Sequence, residues 1–294
     1  MDTITIVAIV LCIVIVSCLS ILTLLLMNSE GNNTGTGGGK VIGNKGNLPI
    51  SNGLWKKGSN VWNTVHGSSK NRFSVDNGVL RLDYEKNSYA AKSGDSFAAN
   101  PHKSLPKDEF TLSYSVEFPN DFDFKKGGKL PGVCIGSTNK ECSAGGDWRK
   151  GEGSIRVMWR ANNGKDPYAI GYVYTTHGDP KKGEQAQGKQ TKDAMSPSDR
   201  TGHNFWKKGT PLKLHHGWNT IRVRVKLNTP GKQDGLYEMT VNGKTVKVTD
   251  AVFREKKEEM VQTLKFVSFF GGGDSSWATP NKQLHANFKD IYFA

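Results

Sequence analysis

Two short stretches of this chain carry residue types that do chemistry, at strand spacing. In Ser154-Ile155-Arg156-Val157-Met158-Trp159-Arg160, alternation places Ser154, Arg156, Met158 and Arg160 on one face and Ile155, Val157 and Trp159 on the other. In Gly171-Tyr172-Val173-Tyr174-Thr175 the two tyrosines project together while Val173 turns the opposite way. If the two strands pair, a serine and arginine row lies beside a tyrosine row. Arginine grips carboxylates through two parallel hydrogen bonds. A tyrosine, with an unperturbed pKa of about 10, exchanges its proton more readily where cations favour the phenolate. Together these groups suit proton transfer on an anionic substrate. An ordinary solvated sheet face carrying arginine and tyrosine would show the same alternation.

Two further segments add to the pattern. Lys125-Lys126-Gly127-Gly128-Lys129-Leu130-Pro131-Gly132 combines three lysines with glycines that let a chain approach closely, and Phe269-Phe270-Gly271-Gly272-Gly273-Asp274-Ser275-Ser276-Trp277 sets a glycine-rich turn beside aromatic and polar groups. Gly271-Gly272-Gly273 lacks the helix start and spacing of a phosphate-binding loop. The seven histidines are scattered without metal-ligand spacing, and only His177, which follows the tyrosine strand, stands near the candidate groups. No Ser-His-Asp arrangement is suggested around Ser154, paired carboxylates for glycoside hydrolysis are unconvincing, and no motif implies a metal or cofactor.

The elements that must position these groups lie in a basic chain. Lysine and arginine total 40 against 27 aspartate and glutamate in 294 residues, a formal charge of +13, and nearly all of the excess lies beyond residue 40. Such a surface favours polyanions. Zinc spacing, a basic heptad helix and an RNP-like motif are all lacking, so nucleic acid is not the expected partner; an acidic glycan or an anionic membrane explains the charge.

Residues 4–27 are almost wholly apolar and uncharged. As a helix they would run roughly 36 Å, enough to cross a hydrocarbon core of about 30 Å. The start Met1-Asp2-Thr3 has no basic residue of the kind that opens a secretory signal, so an uncleaved single-pass anchor is expected, with the folded part extracellular, lumenal or on a virion. Residues 28–47, rich in Gly, Asn and Thr, read as a flexible tether with a reach of about 25 Å. Of the four cysteines only Cys134 and Cys142 lie in the folded part, and their spacing permits a disulfide or two free thiols.

From Leu48 to Ala294 the chain is a succession of short alternating runs: Val79 to Tyr84, Phe110 to Val116, Ser154 to Trp159, Ala169 to Thr175, Trp218 to Val225, Leu236 to Val241, Leu264 to Phe270 and Ala286 to Tyr292. Asn242-Gly243 marks a type I′ hairpin. Helical periodicity appears weakly around Asp250 to Met260. Antiparallel strands without repeated strand-helix alternation predict an all-β sandwich of jelly-roll type.

The ordered set of Lys129-Leu130-Pro131-Gly132, Ser154-x-Arg156 running into Met158-Trp159-Arg160, Tyr172-x-Tyr174 and Phe269 to Trp277 resembles polysaccharide lyase family 14, which includes alginate lyases and algal-virus lyases acting on glucuronate-containing walls. It is also similar to the glucuronan lyases of family 20, which share a β-jelly roll. The resemblance covers roughly Leu48 to Ala294. It implies that Lys129, Ser154, Arg156, Tyr172 and Tyr174 are catalytic or substrate-binding and that an acidic cell-wall uronate polymer is cleaved by β-elimination; beside these, Arg160, His177 and Trp277 are expected as further substrate contacts from their places next to the motifs. That reaction removes the C5 proton beside the carboxylate and protonates the departing O4, with cations spreading the developing charge. Lys129, Tyr172 and Tyr174 all remain open as base or acid. The departures from the family pattern are the apolar run and the insertion from Asp179 to Lys192. A non-catalytic polysaccharide-binding module or a virion shell protein on the same fold is the competing expectation; such a module has no use for a proton-transfer tyrosine.

Overall fold

The computed structural model describes residues 70–101, 104–139, 142, 149–176, 202–206 and 210–294, with the backbone alone of four short strands outside these ranges. In chain order the strands are β1 (Thr64–His66), β2 (Phe73–Asp76), β3 (Val79–Tyr84), β4 (Asp95–Ala99), β5 (Glu109–Phe118) and β6 (Gly127–Gly136). Next come β7 (Gly153–Asn162), β8 (Lys165–Tyr174), β9 (Gly178–Asp179), β10 (Glu184–Gln185), β11 (Met195–Ser196) and β12 (His203–Phe205). The last are β13 (Gly217–Lys226), β14 (Gly235–Val241), β15 (Lys244–Ala251), β16 (Met260–Phe270) and β17 (Leu284–Phe293). The front sheet has the order β1-β4-β16-β6-β7-β8-β12-β11 and the back sheet β15-β14-β13-β5-β17-β3-β2, while β9 and β10 form a separate pair. All described pairings are antiparallel.

Alternation decides which residues fill the space between the sheets. In β13, Ile221, Val223 and Val225 are buried while Arg222 and Arg224 point outward, where they pair with Glu238 and Glu109. Exposed cross-strand pairs of this kind each contribute only a few tenths of a kcal/mol. The two inner faces share one apolar cluster, which holds the Tyr84–Phe270, Phe266–Phe288 and Trp159–Phe270 edge-to-face contacts at 5.1, 5.1 and 5.3 Å. Trp159 is fully buried and donates its indole N–H to the Phe124 carbonyl at 3.0 Å. The result is an all-β sandwich, the layering expected of a jelly roll.

All eight runs read as strands from the sequence are strands, and Asn242 and Gly243 take φ of 49° and 79°, as a type I′ turn requires. The segment Lys125 to Gly132, read as glycines that allow close approach, runs into β6, a central strand of the front sheet. One expectation is corrected. The weak helical periodicity at Asp250 to Met260 forms no helix; after β15 the chain turns around buried Glu259, whose Oε2 accepts from Thr176 Oγ1 and from the backbone N–H groups of Glu255 and Lys256. The two local backbone bonds, with the long-range one from Thr176, satisfy this turn in place of a helical ladder. Cys134 and Cys142 are joined in a disulfide, settling the choice that their spacing left open. The apolar run 4–27, the tether 28–47 and His177 lie outside the described residues, and of the insertion Asp179 to Lys192 only short backbone stretches are described.

One packing contact reaches from the back sheet to the strand bearing the tyrosines. A Cβ on Gly171 in β8 would lie 2.4 Å from the Tyr237 hydroxyl, which is buried with no hydrogen-bond partner among the described residues. Gly171→Ala is expected to lower stability by about 1–3 kcal/mol through overpacking. Tyr237→Phe, which forfeits no hydrogen bond, should be nearly neutral alone and should restore much of the loss in the double variant. Denaturant melts of the four proteins check this, and strict additivity would count against the contact.

Candidate active site

The front sheet turns its outer face away from the core, and this face collects the chemistry. In β7 and β8, Ile155, Val157, Trp159, Ala169 and Val173 join the core. Ser154, Arg156, Met158 and Arg160, with Tyr168, Ile170, Tyr172 and Tyr174, therefore face outward. The pairing runs Ser154 opposite Tyr174, Arg156 opposite Tyr172, and Arg160 opposite Tyr168, so the serine and arginine row does lie beside the tyrosine row.

Lys129 reaches the same face because of a bulge. Leu130 sits opposite Val157 and Gly132 opposite Arg156, which leaves Pro131 as the extra residue. A bulge tolerates proline, which has no N–H to offer the ladder. The shift lets both Leu130 and Val133 enter the core while Lys129 and Gly132 face outward. Glycine is required on both flanks of the lysine. A Cβ on Gly128 would lie 2.1 Å from the Trp159 ring, and one on Gly132 would lie 2.6 Å from the Arg156 Cα and 2.9 Å from its Cγ.

Within this face the groups are close and largely dry. Lys129 is 7% exposed; its Nζ lies 2.8 Å from the Met158 sulfur and 3.9 Å from the centre of the Tyr172 ring. Burial, and then the charges of Arg156 and Arg160, hold its amine well below the ordinary lysine value of 10.5. Arg156 is 3% exposed, with its guanidinium carbon 5.7 Å from the Tyr172 ring centre and 5.8 Å from that of Tyr174. Its Nε and Nη2 are buried without a hydrogen-bond partner among the described residues. The Tyr172 oxygen accepts the Gly202 backbone N–H at 3.1 Å and lies 3.4 Å from the Tyr174 oxygen. Ser154, fully buried, stands between Cys134 and Tyr174 in the same row.

Arg160 and Trp277 form one rim. The Arg160 guanidinium stacks 4.9 Å from the Trp277 ring centre and donates to Asn204 Oδ1 at 3.1 Å, while Lys126 lies 5.9 Å from the same ring and donates to Ser276 Oγ at 2.6 Å. Gly272 makes room for the ring, since a Cβ there would fall 2.2 Å from it.

The sequence reading missed Lys265, Asn204 and Gly202. Lys265 pairs with Gly132 and Ala98, which places it on the same face, and its signal was available as a lone charge in the apolar run Leu264 to Phe270. None of Lys129, Arg156, Arg160 and Lys265 forms a salt bridge with a described residue. Four cations without a compensating carboxylate, beside two phenols, make a site for an anion that undergoes proton transfer.

Comparison with known proteins gives the same direction. The sequence model of polysaccharide lyase 14 matches residues 73–291. Exolysin of Paramecium bursaria Chlorella virus 1 is 25% identical over 201 residues, which take in 64% of this chain but only 30% of that protein, so the chain spans about a third of this curated relative. Among solved structures, alginate lyase vAL-1 from Chlorella virus superposes with a TM-score of 0.66 at 25% identity, covering 86% of this chain and 99% of that one. The marine alginate lyase from Aplysia kurodai gives 0.63 at 26% identity, covering 76% and 87%. The family match begins at the first residue of β2, ends within β17 and takes in all the groups just described; the chain belongs to polysaccharide lyase family 14.

Proposed function

We propose that this chain is a polysaccharide lyase that cleaves a 4-linked uronate polymer of the alginate or glucuronate kind by β-elimination. The observation that carries the reading is the Arg156 guanidinium and the Lys129 amine, neither paired with a carboxylate among the described residues, set against Tyr172 and Tyr174. Arg156, whose buried Nε and Nη2 have no partner among the described residues, holds the substrate carboxylate through its guanidinium, and that contact strengthens as charge from C5 spreads onto the carboxylate. Lys129, held by its surroundings toward the free amine, takes the C5 proton. Tyr172, whose oxygen is positioned by the Gly202 N–H, gives a proton to O4 of the leaving sugar. Ser154 orients Tyr174 or the substrate, and Arg160 with Trp277 holds a sugar at the rim. His177 is assigned the neighbouring substrate contact on its position after β8. Alginate is favoured because the Chlorella virus and Aplysia kurodai proteins are named alginate lyases. The same reading makes residues 4–27 a single-pass anchor and residues 28–47 a tether that presents the enzyme to a cell wall, on the length and lack of charge of the apolar run.

Three measurements test it. Mixing the protein with polymannuronate, polyguluronate or polyglucuronate should raise the ultraviolet absorbance of an unsaturated sugar end. Arg156→Ala and Tyr172→Phe should each cut that rate by about a hundredfold or more. Salt-sensitive retention of a polymer with no absorbance rise would establish a binding module instead.

The pH profile tests Lys129 as base. Arg160 is among the charges that depress the Lys129 amine, so Arg160→Gln should raise that value and move the acid limb of kcat/KM to higher pH. An unmoved limb would remove Lys129 from the base role.

Lys129 also leaves a mark on stability. With its folded value below the unfolded 10.5, the unfolded chain holds this proton more tightly, so stability rises with pH between the two values and the full cost applies below both. Lys129→Met should therefore be inactive yet more stable than wild type at neutral pH, with the gap in Tm closing as pH approaches 10.5.

A further inference from the structure

One row crosses six strands of the front sheet on its outer face: Ala98 in β4, Lys265 in β16, Gly132 in β6, Arg156 in β7, Tyr172 in β8 and Asn204 in β12. Lys265 is flanked in this row by a methyl group on one side and a glycine on the other. Arg156 leans across the glycine, its Cγ lying 2.9 Å from where a Cβ of Gly132 would be. Lys265 and Arg156 thus stand two strand spacings apart, about 10 Å between backbones, and Gly132 between them contributes no side chain. Lys265 is half-buried and has no salt-bridge partner among the described residues, and both desolvation and the Arg156 charge act against its ammonium. Two desolvated cations on one face, neither with a carboxylate partner among the described residues, are stabilised together by an anion placed between or above them.

We infer that Lys265 is a substrate-binding residue that grips a uronate carboxylate on the Ala98 side of Arg156, so that recognition needs a second cation beyond the one serving the reacting sugar. This rests on the lyase reading for the identity of the polymer, but the contact itself is a binding contact and does not require turnover. Its chemistry specifies a carboxylated glycan, since a neutral sugar hydroxyl leaves the ammonium uncompensated. A lysine here also differs in kind from Arg156, because a compact ammonium takes a carboxylate from many directions whereas the guanidinium fork demands one plane.

The experiment is calorimetric titration of polymannuronate and polyguluronate, and of the same polymers with methyl-esterified carboxyls, into wild type, Lys265→Gln, Lys265→Arg and the control Lys247→Gln, which lies exposed on the back sheet. Kinetics are run alongside. Lys265→Gln should weaken binding of the acidic polymer about tenfold, the equivalent of one charge-assisted contact, and raise KM more than it lowers kcat. Lys265→Arg should recover most of the affinity, and Lys247→Gln should change it less than twofold. On the esterified polymer wild type and Lys265→Gln should bind alike. Equal affinity of wild type and Lys265→Gln for the acidic polymer, or an equal loss on the esterified one, overturns the assignment. If wild type binds and Lys265→Gln does not, but no unsaturated product appears, the lyase reading fails and the carboxylate contact stands; if wild type binds none of the acidic polymers, both fall. A Tm of Lys265→Gln at or above wild type shows that weakened binding is not misfolding.

Discussion

The structure turns on how a lysine can be held beside two arginines without a carboxylate. Lys129 has no counter-ion among the described residues, and burial and both guanidinium charges act against its ammonium. Its local contacts, the Met158 sulfur and the Tyr172 ring, are weak, so its position is largely imposed by the strand that bears it. The bulge at Pro131 anchors Leu130 and Val133 in the core on either side of the kink, and Lys129 follows as the residue before them. Trp159, locked by its bond to the Phe124 carbonyl, fills the space under Gly128 and sets how closely β6 approaches β7. The energy that holds this uncompensated amine in place comes mainly from hydrophobic burial in the sandwich rather than from a counter-ion.

The two sheets divide their labour accordingly. On the back sheet, arginines meet glutamates across strands, as Arg222 meets Glu238 and Arg224 meets Glu109, and the surface is close to self-neutralised. On the front sheet the cations are left without acids, and the aromatic rings of Tyr172, Tyr174 and Trp277 are what they touch. Ring faces give a weak and non-directional hold on a cation, and leave its strong hydrogen-bonding capacity for a ligand. Part of the basic excess is thus organised on one face as capacity for a ligand.

How much of this was legible in the sequence depended on whether period-two alternation held. In β7 and β8 it is unbroken, so the serine, arginine and tyrosine rows and their shared face could be read directly, and the strand limits fell within a few residues. In β6 alternation breaks at Pro131, and the strand is rich in glycine and carries a proline, the composition that argues against a central strand. The reading therefore found the right lysine but assigned no strand to it. Lys265 was passed over for a different reason: a single charge in Leu264 to Phe270 says nothing of which neighbour it meets until the register with Gly132 is known. Asn204 and Gly202 lie in a segment without a periodic signal, and only pairing with β8 gives them meaning.

The glycines of β6 also limit how the protein can change over time. Glycine is the poorest strand former, and replacing it with valine or isoleucine is the usual route to a firmer sheet. At Gly128 and Gly132 that route is closed, because even a methyl group would collide at 2.1 Å with Trp159 and at 2.0 Å with the Ile155 carbonyl. The strand closest to the chemistry is fixed at a local optimum of poor propensity. Lineages or engineers seeking a hardier enzyme must gather their gains from the opposite sheet, and sequence drift should run fast there while β6 stands still.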